Sequence, residues 1–158
     1  MNTATICLGS NASDAPAHIA RAVAFICTIA SIHDDSGDYP SDPEHTATTA
    51  IYTNRILEIS TALHYDRLHS LCKKYESTER AAIIEEARVT IDIDIVIFNG
   101  TVLRPLDHAS AYFNKGLALL AASKSEVEEE DFAGEVADGE TGSVGDGDIG
   151  LAAVGVHI

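Results

Sequence analysis

The sequence predicts an α+β fold, an antiparallel sheet with helices packed on one face. Three observations predict it. Apolar residues switch repeatedly between period two and helical spacing over residues 1–122. The segments so read run strand, helix, strand, strand, helix, strand. A hairpin signal and one further helix close the series.

Each element has a local reason. Residues 3–8, Thr-Ala-Thr-Ile-Cys-Leu, are short and β-branched, and Gly9 ends them as a buried strand. Ser10, Asn11, Ser13 and Asp14 offer N-cap side chains, and Pro16 suits a first helical turn. Ile19, Val23, Ile26 and Ala30 recur at helical spacing and predict a helix over 14–31. Residues 34–49 are polar, hold Gly37, Pro40 and Pro43, and read as a loop with a weak strand over 33–39. Ile51 to Leu63 alternates as a strand, though neither face is wholly apolar. Leu68, Leu71, Cys72 and Tyr75 predict a helix over 64–77, and 78–88 form a charged, partly helical connector. Val89, Ile91, Ile93, Ile95 and Ile97 form one apolar face at period two, the clearest strand in the chain. Asn99-Gly100 marks a hairpin, with 101–103 returning as a short strand. A last helix over 108–122 turns Tyr112, Leu119 and Leu120 inward. This β-α-β-β-α-β order is the ferredoxin-like split arrangement.

Charge divides the chain. Residues 1–122 hold 15 acids and 9 bases, while 123–158 hold 10 acids, 1 base and 7 of the 11 glycines. Two regions are therefore expected: a folded domain over 1–122 and a flexible acidic tail over 123–158. Asp138-Gly139 and Asp146-Gly147-Asp148 make only one irregular copy of a calcium-binding Gly-Asp repeat. A net charge of −15 repels phosphate and excludes nucleic acid as a partner. No run of 18 apolar residues predicts a membrane span. Met1 is followed by no signal-like segment, so a cytoplasmic protein is expected, as a monomer or weak dimer. Cys7, Cys27 and Cys72 fit neither a disulfide framework nor zinc spacing. Cys7 and Cys27 read as small buried hydrophobes. His18, His33, His45, His64 and His69 have no partner at ligand spacing and read as surface residues, and Lys73 and Lys74 as a solvated helix face.

Thr90-Ile91-Asp92-Ile93-Asp94 carries the chemistry. Asp92 and Asp94 sit two apart on a strand, so both point away from the isoleucines, with Cα atoms ~6.6 Å apart. Two carboxylates so placed repel unless positive charge lies between them. Divalent cations such as Mg²⁺ would supply it. Alone, the pair reads more readily as an exposed acidic strand face than as a metal site.

Five motifs in register resemble the 6-hydroxymethyl-7,8-dihydropterin pyrophosphokinase family. They are Ile6-Cys7-Leu8-Gly9-Ser10-Asn11, Tyr52-Thr53-Asn54, Tyr75-Glu76, Thr90-Ile91-Asp92-Ile93-Asp94-Ile95 with Phe98-Asn99-Gly100, and Asn114-Lys115-Gly116. The resemblance implies Mg²⁺- and ATP-dependent transfer of pyrophosphate to a hydroxymethyl dihydropterin, a step of folate biosynthesis. It implies Asp92 and Asp94 as ligands of two Mg²⁺ ions, and His108 and Lys115 as further catalytic residues facing the ATP phosphates. It places Gly9, Tyr52 and Asn54 at the pterin. It places Arg88, Arg104 and Tyr112 at ATP, although Arg104 has a second reading as the partner of Asp107.

The chain also departs from that family. The family's mobile loop before T-x-D-x-D is rich in arginine and carries a tryptophan. Here 78–89 keep only Arg80 and Arg88, Glu85 and Glu86 add negative charge, and the chain has no Trp. Val89 stands where the family has an arginine, and 38–50 hold no Thr-Pro-Pro. These departures support a second reading, a catalytically degenerate ferredoxin-like homologue that binds a small molecule or a protein.

Overall fold

The computed structural model describes residues 1–42, 51–82 and 88–126. Predictions for 43–50, for 83–87 of the connector and for 127–158 of the tail fall outside the described residues. The chain divides into two units, Met1–Leu120 and Ala121–Ile158. Of the second, residues 121–126 are described and helical.

The elements are β1 (Asn2–Ser10), α1 (Ala15–Cys27), β2 (Ser31–Asp35), β3 (Tyr39–Ser41), β4 (Tyr52–Thr61), α2 (Tyr65–Ala82), β5 (Asp92–Phe98), β6 (Thr101–Val102) and α3 (Pro105–Ala109). A fourth helix, α4, covers 111–126. The six strands form one sheet in the order β2-β4-β1-β5-β6, with β3 continuing the β2 edge against β4. Every pairing is antiparallel. This is the ferredoxin-like α+β arrangement that the element order predicts.

Period two splits β1 between two cores. Ala4, Ile6 and Leu8 face α1 and α2, packing with Ile19, Ala22, Ile26, Leu68, Cys72, Ile91, Ile93 and Ile95. Cys7 faces the other way, into a cluster of Tyr39, Ile56, Val96, Phe113 and Leu120. So α4 covers part of the face that carries the aspartates, rather than joining the helices on the opposite face. Its close approach needs Gly116. A Cβ there would collide with Ile56 Cγ1 and the Tyr39 hydroxyl, and would stand 2.9 Å from Tyr39 Cζ.

Several boundaries move for local reasons. Strand β1 runs through Gly9 to Ser10, because both residues pair with β4. Helix α1 stops at Cys27, since Thr28 donates to Phe25 O and Ala30 folds back on Ile26 O. Asp14 sits at its N-cap without a side-chain capping bond and pairs instead with His18, at 2.7 Å. His18 is buried, not a surface residue. Cys27, at the helix end, is exposed, not buried. Asn99 and Gly100 both adopt positive φ, 48° and 80°, as a two-residue turn of the predicted type requires.

Two apolar phases were misread from the sequence. Thr5 pairs with Ile97 but Ile6 pairs with Ile95, so Val96 is an extra residue in β5. The bulge turns Ile97 off the face of Ile91, Ile93 and Ile95 and into the second cluster. The predicted last helix is broken at Ser110, whose ψ of 152° is extended. Helix α4 restarts there with a new phase. Phe113 is fully buried and Leu120 nearly so, while Leu119 is exposed rather than inward.

Gly116→Ala should lower unfolding free energy by about 2–3 kcal/mol, the usual cost of overpacking a filled core. Gly37→Ala, at φ 69° in open space, should cost only about 1 kcal/mol. Urea melts with unchanged slope would read both. Equal effects at the two positions would contradict the packing role of Gly116.

Candidate functional site

Strand β1 is paired on both sides, so its register brings distant residues together. Gly9 stands opposite Asn54 on β4 and opposite Asp92 on β5. Cys7 stands opposite Ile56 and Asp94. These are two successive rows on one face of the sheet. Gly9 has no side chain to fill the row. A Cβ there would lie 3.4 Å from Asn54 Oδ1 and 3.8 Å from Tyr52 Cδ1. The space between the Asn54 amide and the Asp92 carboxylate thus stays open.

A cavity of about 300 Å³ lies over these rows. Of the residues singled out from the sequence, Gly9, Tyr52, Asn54, Asp92, Asp94, Arg104 and Tyr112 line it. Asn54 is buried and donates from Nδ2 to Ser41 Oγ at 2.5 Å. Three others stand elsewhere. Lys115 lines an adjoining hollow of about 430 Å³ that shares Ser41, Asp42 and Tyr112. Its Nζ donates to Pro40 O at 3.1 Å and stands 5.7 Å from the Tyr39 ring centre. His108 packs its ring 5.7 Å from that of Phe113. Arg88 lies before β5 and donates from Nη1 to Asn11 O at 2.7 Å.

Sequence reading missed several groups. Lys73 is no solvated helix residue. Its Nζ donates to Glu76 Oε1 at 2.9 Å and Ile93 O at 3.1 Å. It also stands 3.5 Å from Asp94 Oδ1 and 3.9 Å from Asp92 Oδ1. Glu76 accepts from Ile93 N at 2.6 Å. Strand β6 covers only Ile97 and Phe98, so among the described residues β5 is an edge at Ile93. Lys73 and Glu76 satisfy the backbone groups that this edge exposes. Asp107 does more than pair with Arg104, the role its spacing suggests. It takes a bond from Arg104 Nε at 2.5 Å and another from the Tyr112 hydroxyl at 2.5 Å. The usable signal was spacing: Lys73 and Glu76 at i,i+3, and Arg104 and Asp107 likewise.

Charge is crowded. Burial, then the Asp92 carboxylate, pushes Asp94 up to about 6. Burial, then Glu76, raises Asp92. Lys73 and Arg104 oppose both shifts. Arg104 Nη1 lies 3.5 Å from Asp94 Oδ1. Burial pulls the Lys73 ammonium down, but its bond to Glu76 and the charges of Asp94 and Asp92 outweigh that and raise it. Burial, then Asp94, also raises the Cys7 thiol beneath the pair, so it stays neutral.

A family model described as 7,8-dihydro-6-hydroxymethylpterin-pyrophosphokinase matches residues 5–132. The chain belongs to this family. None of the curated proteins compared matches it. At family level the activity of a pyrophosphokinase of this kind is pyrophosphate transfer in folate biosynthesis. Among the described residues no helix is long and apolar enough to cross a membrane.

The donor set at these rows fits Mg²⁺. Among the described residues no group of three or more His, Cys, Asp and Glu converges as a protein-only metal cage. Mg²⁺ asks for less, one or two carboxylates with water and substrate phosphates completing the shell. Asp92 and Asp94, both raised first by burial, form such a pair.

The raised Asp94 makes a stability prediction. Its native carboxyl binds a proton more tightly than the unfolded one, about 6 against 3.8. The stability it contributes is full below pH 3.8 and is lost as pH rises through about 6. Asp94→Asn should therefore stabilise the metal-free protein by about 3 kcal/mol above pH ~7 and by little near pH ~4. Denaturant melts of variant and wild type at both pH values would show it. A variant less stable than wild type at the higher pH would contradict it.

Proposed function

We propose that this chain transfers pyrophosphate from ATP to 6-hydroxymethyl-7,8-dihydropterin with Mg²⁺. One observation carries the reading. An amide, Asn54, and a carboxylate pair, Asp92 and Asp94, share one floor on either side of Gly9. A pterin edge needs amide-like hydrogen bonds and a flat slot. A triphosphate needs hard oxygen ligands for its cation. The floor offers both within one cavity.

The residues divide the work. Ser41 takes the Asn54 Nδ2 donor, which fixes the amide and leaves Oδ1 above Gly9 to accept from the pterin. Tyr52 and Tyr112 supply aromatic walls. Asp107 holds the Arg104 guanidinium beside Asp94, where it meets charge on the transferred group. Asp92 and Asp94 would hold Mg²⁺, which would neutralise phosphate charge and polarise the attacked phosphorus. Lys115 would reach phosphate from the adjoining hollow, and His108 from α3. Arg88 acts near the cavity by tying the start of β5 to Asn11 rather than from its lining.

A second reading, binding without turnover, draws on the cations. Arg88 and Lys115 both spend donors on backbone carbonyls, Asn11 O and Pro40 O. The test separates the two. Wild type with Mg²⁺, ATP and the hydroxymethyl dihydropterin should release AMP. Asp92→Asn and Asp94→Asn should each slow release by at least about 10²-fold. No AMP at saturating substrates contradicts the proposed activity. Mg²⁺-dependent binding of a non-hydrolysable ATP analogue without AMP release selects the binding module.

A further inference from the structure

Lys73 is placed unlike an ordinary helix-surface lysine. Its ammonium is held by Glu76 Oε1 and by the Ile93 carbonyl, two acceptors that are not the aspartates. From that anchorage it stands 3.5 Å from Asp94 Oδ1 and 3.9 Å from Asp92 Oδ1. Glu76 is itself nearly buried and is fixed by Ile93 N–H. Swinging Lys73 away would leave Glu76 and Ile93 O short of a donor. The ammonium is therefore part of the site's framework, not a mobile counter-ion.

Arg104 is the other cation within 4 Å of the pair among the described residues, and its Nε is committed to Asp107. Lys73 is thus the cation that approaches both carboxylates. A fixed positive charge beside two carboxylates does two things. It relieves their repulsion in the free protein. It also opposes any second cation brought to them.

We propose that Lys73 is a resident counter-cation with which a divalent ion must share Asp92 and Asp94. It thereby weakens capture of the free ion and couples capture to the arrival of nucleotide. The inference rests on the reading of the pair as the Mg²⁺ site. A triphosphate adds negative charge above the pair, offsets the ammonium and makes room for the ion. The ion then enters with nucleotide rather than ahead of it.

The test is Mn²⁺ titration of the full chain without nucleotide, at about pH 8, where the carboxylates are ionised. Lys73→Gln keeps a donor for Glu76 and Ile93 O but removes the charge. It should bind Mn²⁺ about tenfold tighter than wild type. Lys73→Arg and the exposed neighbour Lys74→Gln should match wild type. Thermal melts confirm folding, and Lys73→Met replaces Lys73→Gln if that variant does not fold. Mn²⁺ affinity of the neutral variant equal to or below wild type overturns the proposal. The double variant Asp92→Asn/Asp94→Asn should lose Mn²⁺. Should it keep Mn²⁺, the metal reading of the pair and the Lys73 proposal fall together. Should it lose Mn²⁺ while Lys73→Gln stays unchanged, the Lys73 proposal alone falls.

Discussion

Strand β1 is hydrogen-bonded on both sides, and period two divides its side chains between the two faces of the sheet. That division does most of the building. Ala4, Ile6 and Leu8 lock the strand onto α1 and α2. Because that face is buried, a slip by one residue would put every one of them on the wrong side. The locked register then sets Gly9 between Asn54 and Asp92, and Cys7 between Ile56 and Asp94. The core on one face thus positions the polar residues on the other.

The site this produces is under electrostatic tension. Asp92 and Asp94 are both raised by burial and by neighbouring carboxylates. A protein optimised only for stability would not place them there. Perturbed carboxylates in a cleft are a common mark of a functional site. Lys73, Arg104 and the bonds to Asp107 relieve the tension in part. They do so from fixed positions, so the cavity is organised before ligand arrives. Preorganised charge of this kind is what phosphoryl transfer asks of a protein.

Much of the fold was legible because it depends on local pattern. The isoleucines of β5 alternate cleanly, and Asn99-Gly100 allows the positive φ that a tight hairpin needs. The Asp92–Asp94 pair was legible for the same reason, being two residues apart on one strand. What was lost depends on partners distant in sequence. A one-residue bulge at Val96 moved Ile97 to the other face. The extended Ser110 reset the phase of α4 and exchanged Leu119 for Phe113 as the inward residue. His18 is buried with its ring 2.7 Å from the N-cap Asp14 and 4.0 Å from Glu79 on α2, a neighbour distant in sequence. Lys73 looked solvated because nothing in its own helix announces the bare edge of β5 that it covers. The adjacency of Gly9 to Asn54 and Asp92 is a property of register. Motif spacing alone does not carry it.

On the proposed function, metal and nucleotide meet over the two rows across β4, β1 and β5. Paramagnetic broadening would locate them. With trace Mn²⁺ and a non-hydrolysable ATP analogue, the amide resonances of Cys7, Gly9, Asp92 and Asp94 should broaden first. Those of Asn2, Ser60 and Thr61, roughly 20 Å away along the strands, should stay sharp. Broadening centred on Asn2 and Ser60, or spread without a centre over the acidic surface, would contradict the account.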